Sequence, residues 1–252
     1  MILAWMGALL IGLSLGLFGS GGSILTVPVL VYLVGEQEKI AIAESLGIVG
    51  AISFAGFIPY AFKKQVHWKS VILFGIPGMA GTYGGAAIAE FVSGTFQLIL
   101  FAMVMLIAAA LMFRDRKQLK VISHSEDQHS WWKIALEGLL VGVITGLVGV
   151  GGGFLIVPAL VLLGGLPMHL AVGTSLAIIA LKSFSGFYKY IDVLNNLNLT
   201  MNWELILVFS LVGAVGSFVG KFIGSKISND GLKRGFAVFL VFMGGYILYM
   251  NI

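Results

Sequence analysis

The chain of 252 residues is 59% hydrophobic and only 10% charged. Soluble domains carry roughly 25% charged residues, so an ordinary water-soluble fold is excluded. The net charge of +4 is no sign of a nucleic-acid partner, because most basic residues lie between apolar segments, where the positive-inside rule accounts for them.

There is no cysteine, which removes disulfides, thiolate metal sites and thiol catalysis. Several apolar stretches approach the ~20 residues that cross a bilayer core. They run continuously, without the alternation of barrel strands, and predict an all-α polytopic membrane protein.

The chain opens on "MILAWMGALLIGL", which lacks the basic region of a secretory signal and reads as mature transmembrane chain. This first apolar stretch is broken. Pieces at about 2–18 and 23–34 flank "GLFGSGGSILTVP", residues 16–28. The second piece spans about 18 Å at 1.5 Å per residue, too short for a core of ~30 Å. The glycine stretch therefore reads as the turn of a helical hairpin that enters the membrane and returns. Helices at about 40–62, 69–89 and 95–113 complete a first unit, residues 1–113. The polar segment 114–133 reads as a solvated cytoplasmic linker. A second unit, 134–252, has pieces at about 134–148 and 153–164 around "GLVGVGGGFLIVP", then helices at about 168–191, 203–225 and 232–250.

The units are copies of one another. An offset of 130 carries Gly16, Gly19, Gly21, Gly22 and Pro28 onto Gly146, Gly149, Gly151, Gly152 and Pro158, and Ser45 onto Ser175. An offset of 135 then carries Trp68, Gly78 and Gly81 onto Trp203, Gly213 and Gly216.

Charge placement bears on their relative orientation. Lys63, Lys64 and Lys69, the basic residues of the linker, and Lys221, Lys226, Lys233 and Arg234 can share one side, 12 of the 15 basic residues. That sorting predicts inverted repeats, each with three transmembrane helices and a re-entrant hairpin. The competing reading takes each broken stretch as one kinked crossing, giving eight crossings and parallel repeats.

The glycine turns are the first candidate site. An irregular segment at membrane depth must face protein or a watery cavity, and a half-helix N-terminus suits an anion. Inverted repeats bring two such tips toward each other near the midplane. The plainer reading is close helix packing, which accounts for Gly12/Gly16, Gly81/Gly85 and Gly216/Gly220.

The following helices carry hydroxyls and one charge. Lys182 lies well inside a predicted span, where a charged side chain is costly and lines a cavity or pathway. It could counter a bound anion, exchange a proton on burial, snorkel, or pair with Glu44. The candidate anion-binding residues are Ser20, Gly21, Gly22, Ser23, Ser45, Gly151, Gly152, Gly153, Thr174, Ser175, Lys182 and Ser183. Tyr60, Tyr190, Trp68 and Trp203 read as interfacial anchors. No histidine pair has metal-ligand spacing and no nucleophile–base set stands out, so neither a metal, a cofactor nor an enzyme activity is expected.

The duplicated GxGG turns with a proline a few residues on, together with Gly173-Thr174-Ser175-Leu176 and a Trp opening the next helix, resemble the TauE/SafE family of sulfite and organosulfonate exporters. The resemblance implies a cytoplasmic-membrane transporter for small sulfur-containing anions, often working in export, and the inverted repeats add the expectation of a secondary transporter that works by alternating access. An anion-selective channel and a non-transporting membrane scaffold are the competing readings. The partners expected are a small anion, the lipid bilayer, a coupling proton and a second copy of the chain, with no nucleic acid.

Overall fold

The computed structural model describes residues 2–19, 21–113, 131–149, 153–163 and 166–251. Every regular element among them is helical. The helices are α1 (Ile2–Phe18), α2 (Gly21–Pro28), α3 (Glu38–Phe62), α4 (Trp68–Phe91), α5 (Gly94–Phe113), α6 (Trp131–Val148), α7 (Gly153–Pro158), α8 (Met168–Asn196), α9 (Trp203–Gly224) and α10 (Asn229–Asn251). Among the described residues, six helices are long and apolar enough to cross a membrane, namely α3, α4, α5, α8, α9 and the Arg234–Asn251 part of α10. The fold is that of an all-α, multi-pass membrane protein. Only residues 131–133 of the predicted linker fall within the described residues, and they open α6.

Each broken stretch is a hairpin. Gly19 and Gly149 adopt φ of +73° and +74°, a left-handed backbone that glycine reaches without penalty. Their N–H groups donate to Leu15 O and Thr145 O at 2.8 and 2.9 Å, which ends α1 and α6 as left-handed C-caps. In the first unit α2 then runs back along α1. A Cβ on Gly22 would overlap Ile11 O, while one on Gly7 would lie 2.7 Å from Val29. The prolines of the repeated motif act alike in both copies. Pro28 and Pro158 offer no N–H to the helix behind them, and the chain continues past each as a π-helix, Val29–Val34 and Ala159–Leu163.

The helices exchange partners between units. Gly12 and Gly16 of α1 seat against the main chain of Gly213 and Ser217 on α9, so closely that a Cβ on either would overlap the facing carbonyl. The equivalent glycines of α6, Gly142 and Gly146, seat against Gly78 and Thr82 on α4. In both pairs residue numbers rise together, so the helices are parallel. The two central helices α3 and α8 instead run antiparallel, with Gly47 against Phe187, Gly50 against Phe184 and Gly173 against Tyr60. Small residues are there because lipid supplies no hydrophobic drive between helices, and close backbone approach supplies the packing instead.

Candidate functional site

The hairpin tips are held crosswise. The Ser175 hydroxyl, on α8 of the second unit, donates to the Gly19 carbonyl of the first hairpin at 3.0 Å. The Ser45 hydroxyl, on α3 of the first unit, donates to the Gly149 carbonyl of the second at 2.6 Å. Both serines are fully buried, and each shares its proton with a carbonyl one turn back, Val172 O or Ile42 O. Their hydroxyl protons are thus engaged on protein, at the two hairpin ends.

The tips do not meet. Gly19 packs on Val172 and Gly149 on Ile42. Val172 sits beside Gly173, which faces Tyr60, so the tips stand at the levels of residues 60 and 42 on α3. Eighteen residues at 1.5 Å each separate them by about 27 Å. The expectation of two tips converging near the midplane is corrected: each hairpin reaches past the centre to the far end of the opposite unit. Cα neighbours link the two short helices α2 and α7 instead.

A second pair of equivalent contacts lies beside the clamps. Thr174 Oγ1 accepts from the main-chain N–H of His67 at 2.9 Å, and Glu44 Oε1 accepts from that of Asn202 at 2.7 Å. His67 and Asn202 precede Trp68 and Trp203, and their side chains cap the helices that follow by accepting from Ser70 N and Leu205 N. Thr174 and Glu44 therefore do one structural job with different chemistry. The carboxylate has a second oxygen, Oε2, buried without a hydrogen-bond partner.

Lys182 is fully buried at mid-length of α8. Its stem lies in the groove left by Gly78, where an added Cβ would be 3.0 Å from Cδ and 3.2 Å from Cε. Its Nζ lies 5.8 Å from the Phe74 ring centre and has no hydrogen-bond partner. Glu44 stands about eight residues, or about 12 Å, further along the α3–α8 pair, so a Lys182–Glu44 pair is not formed. Ser183, on the next helix position, turns toward Gly50 of α3 and is likewise buried with its hydroxyl unpartnered. Gly22 and Ser23 are buried, Gly21 and Gly153 begin α2 and α7, and Ser20, Gly151 and Gly152 lie outside the described residues. The candidate residues thus divide among two distant clamps and a central lysine–serine step.

Several polar residues of the interior are not among the sequence candidates. Gln97 Nε2 donates to Leu147 O and lies 3.0 Å from the Tyr190 hydroxyl, bracing the base of the second hairpin. Lys221 lies over the Tyr60 ring at 3.8 Å, at the level of the first hairpin's tip. Tyr60 and Tyr190 are buried rather than interfacial. Trp68 and Trp203 are exposed and stack edge-on against Phe57 and Phe187. Of Lys221 the sequence shows only a positive charge one turn from a helix end, which groups it with the loop residues.

The arrangement defines a polytopic membrane protein whose two hairpins are clamped by the opposite halves of the chain. The chain belongs to the family described as "Sulfite exporter TauE/SafE", whose profile it matches over residues 4–247. It is 32% identical over 247 residues to a "Probable membrane transporter protein" of Xylella fastidiosa, covering 96% of this chain and 92% of that one. Probable membrane transporter proteins from Methanocaldococcus jannaschii and Bacillus subtilis are 28% and 27% identical. The alignments cover 95% and 94% of this chain, and 92% and 93% of theirs. No solved structure matches. The protein is a multi-pass membrane transporter of the cytoplasmic membrane.

Proposed function

We propose that the protein exports a small sulfur-containing oxyanion, sulfite or a sulfonate, by alternating access between two oppositely oriented units. The observation that carries the anion is Lys182, a buried lysine at mid-span whose Nζ has no hydrogen-bond partner among the described residues. A charge in that place is costly unless it is neutralised, and a small anion at Nζ, with Ser183 one residue on, does so. Sulfur enters from the family description alone.

The opposite orientation is supported by the antiparallel course of α3 and α8, by the return of α2 along α1, and by the sorting of basic residues. In this reading the end of the α3–α9 pair where Lys221 meets Tyr60, and where Lys63 and Lys64 follow α3, is the cytoplasmic one by the positive-inside rule. The cap at Gly19 then stands at the inner end and the cap at Gly149 at the outer end. In this reading each tip offers backbone N–H groups to the passing anion, and the Ser175 and Ser45 clamps hold the gates, with Thr174 beside the inner one. Secondary transporters of this construction rock one unit against the other around a central site.

The test is counterflow of [35S]sulfite in proteoliposomes. Saturable exchange is expected in the wild type, with Lys182→Met abolishing it while the purified protein keeps its melting temperature. Exchange undiminished in Lys182→Met would remove the central site. Currents that follow the electrochemical gradient without saturating would indicate a channel instead.

A further inference from the structure

Buried hydroxyls in a membrane protein ordinarily donate back to a carbonyl of their own helix or across to another, as Ser14, Thr26, Ser45, Thr82, Thr145 and Ser175 do. Those that do not are concentrated on two helices. Among the described residues, the buried side-chain atoms without a hydrogen-bond partner are Glu44 Oε2, Ser53 Oγ, Gln97 Oε1, Lys182 Nζ, Ser183 Oγ, Ser210 Oγ, Ser217 Oγ and Lys221 Nζ. Five of these eight lie on α3 or α9, two helices that pack along a common seam.

The register of that seam follows from its contacts. Glu44 meets Asn202, Ile52 meets Gly213, Gly56 meets Ser217 and Tyr60 meets Lys221. The helices run parallel, so Glu44, Ser210, Ser53, Ser217 and Lys221 follow one another from one end to the other. From Glu44 to Tyr60 is sixteen residues, about 24 Å, most of a bilayer core. The repeat supplies a control. At the equivalent seam between α8 and α4, the positions of Glu44, Ser210, Ser53, Ser217 and Lys221 are held by Thr174, Gly75, Ser183, Thr82 and Ala86, of which only Ser183 repeats an unpartnered hydroxyl. There Thr174 accepts from His67 N–H and Thr82 donates to Gly78 O. A packing requirement common to both seams does not explain unpartnered groups at four positions of one, Glu44, Ser210, Ser217 and Lys221, that the other fills with apolar or hydrogen-bonded residues.

Unpartnered buried hydroxyls are the groups that ordered water satisfies, and a carboxylate at the end of such a line is the usual carrier in membrane proton relays. We propose that the α3–α9 seam carries the coupling proton of the transport cycle, with Glu44 as the group that takes it up and Ser210, Ser53 and Ser217 as the relay toward Lys221. The groups acting on the carrier are Asn202, which holds Oε1, and the charge of Glu36. At the other end Tyr60 faces Lys221, and Lys63 acts on it from the loop beyond α3. The path is separate from Lys182, which lies on the far seam against Gly78. This assignment rests on the anion-transport reading for its coupled substrate.

The experiment compares two fluxes in the same proteoliposomes: [35S]sulfite exchange at equal pH on both sides, which moves no net proton, and sulfite accumulation driven by an imposed pH gradient. The wild type is expected to do both. Glu44→Gln is expected to keep exchange and lose gradient-driven accumulation. The double variant Ser53→Ala, Ser217→Ala, which touches no charge, is expected to show the same split and serves if Glu44→Gln fails to fold. Either variant accumulating sulfite like the wild type overturns the seam's role, as does a wild type that exchanges sulfite but ignores the gradient. A wild type without exchange overturns the anion reading itself, and with it the coupled substrate that the seam's role requires.

Discussion

Ser175→Ala removes one hydroxyl and tests whether each unit holds the other's hairpin. The lost bond is the one to Gly19 O at 3.0 Å. Val172 O, the second acceptor, belongs to a continuous helix and keeps its own main-chain donor. Hydrogen bonds between membrane helices measure about 0.6 kcal/mol on average and up to about 1.7, and a buried carbonyl left unsatisfied costs about 1–3 kcal/mol. A loss of about 1–2 kcal/mol raises the open fraction of the tip by a factor of about 5–30.

Because the chain has no cysteine, a single cysteine reports that opening without background. Ser20→Cys, one residue after Gly19 in the chain, reports on the first cap, and Val150→Cys, one residue after Gly149, reports on the second. A charged thiol reagent should label Ser20→Cys about 5–30 times faster in the Ser175→Ala background. Val150→Cys, at the opposite tip, should change by no more than about twofold, as independent sites do. Ser45→Ala should do the reverse. Equal acceleration at both cysteines in either background would mean general loosening, and no acceleration at either would mean the clamps hold nothing; both outcomes refute crosswise holding.

Two further outcomes follow from the glycine contacts, beside the Lys182→Met and Glu44→Gln experiments above. Neighbouring residues of α4 should respond oppositely to alanine: Gly84 meets nothing within 4 Å, whereas a Cβ on Gly85 would overlap Val143 O of α6. Gly84→Ala should raise the melting temperature in detergent through about 0.5–1 kcal/mol of helix preference, while Gly85→Ala should lower it by an overpacking cost of about 1–3 kcal/mol. Similar melting temperatures for the two would contradict the tight α4–α6 crossing. Gly78→Ala presses on Lys182, and Gly213→Ala presses on Ile52 at the equivalent place. Sulfite exchange should fall in Gly78→Ala and survive in Gly213→Ala, and equal loss in both would assign the effect to packing rather than to the lysine.

The repeat makes much of this architecture legible. Gly19 and Gly149 stop their helices for a local reason, a left-handed C-cap, so the break shows in sequence wherever glycine clusters inside an apolar run. Pro28 and Pro158 likewise act on their own helices. Depth and partner are another matter. Nothing in "GLFGSGGS" says that Gly19 travels to Ser175 rather than to Gly149, because that depends on the full length of α1 set against the tilt and register of α8. Gly22 reads as an anion contact, but the missing Cβ makes room for Ile11 and Leu15 on the outgoing leg of its own hairpin. Glu44 reads as a helix-opening acid, but six residues into α3 it meets Asn202 from a segment 158 positions away, a distance no local pattern encodes.

The two halves agree where backbones touch and differ where side chains enter the seams. Gly12 and Gly16 on α9 repeat as Gly142 and Gly146 on α4, and Ser175 on Gly19 repeats as Ser45 on Gly149. Sharing these contacts gives the halves the same mechanical options, as rocking units require. Identical ends would also give the two gates equal strength. They are not identical: Gln97 and Tyr190 both reach Leu147 O beneath the second tip, while beneath the first Lys221 rests on the Tyr60 ring without a hydrogen bond. If the tips serve as the proposed gates, the one braced by hydrogen bonds to its own helix end should open at greater cost than the one braced by a lysine on a ring. On the proposed transport cycle the duplicated frame would supply the motion, and the unmatched residues, Gln97, Lys182, Glu44 and Lys221, would bias which end opens first and what crosses.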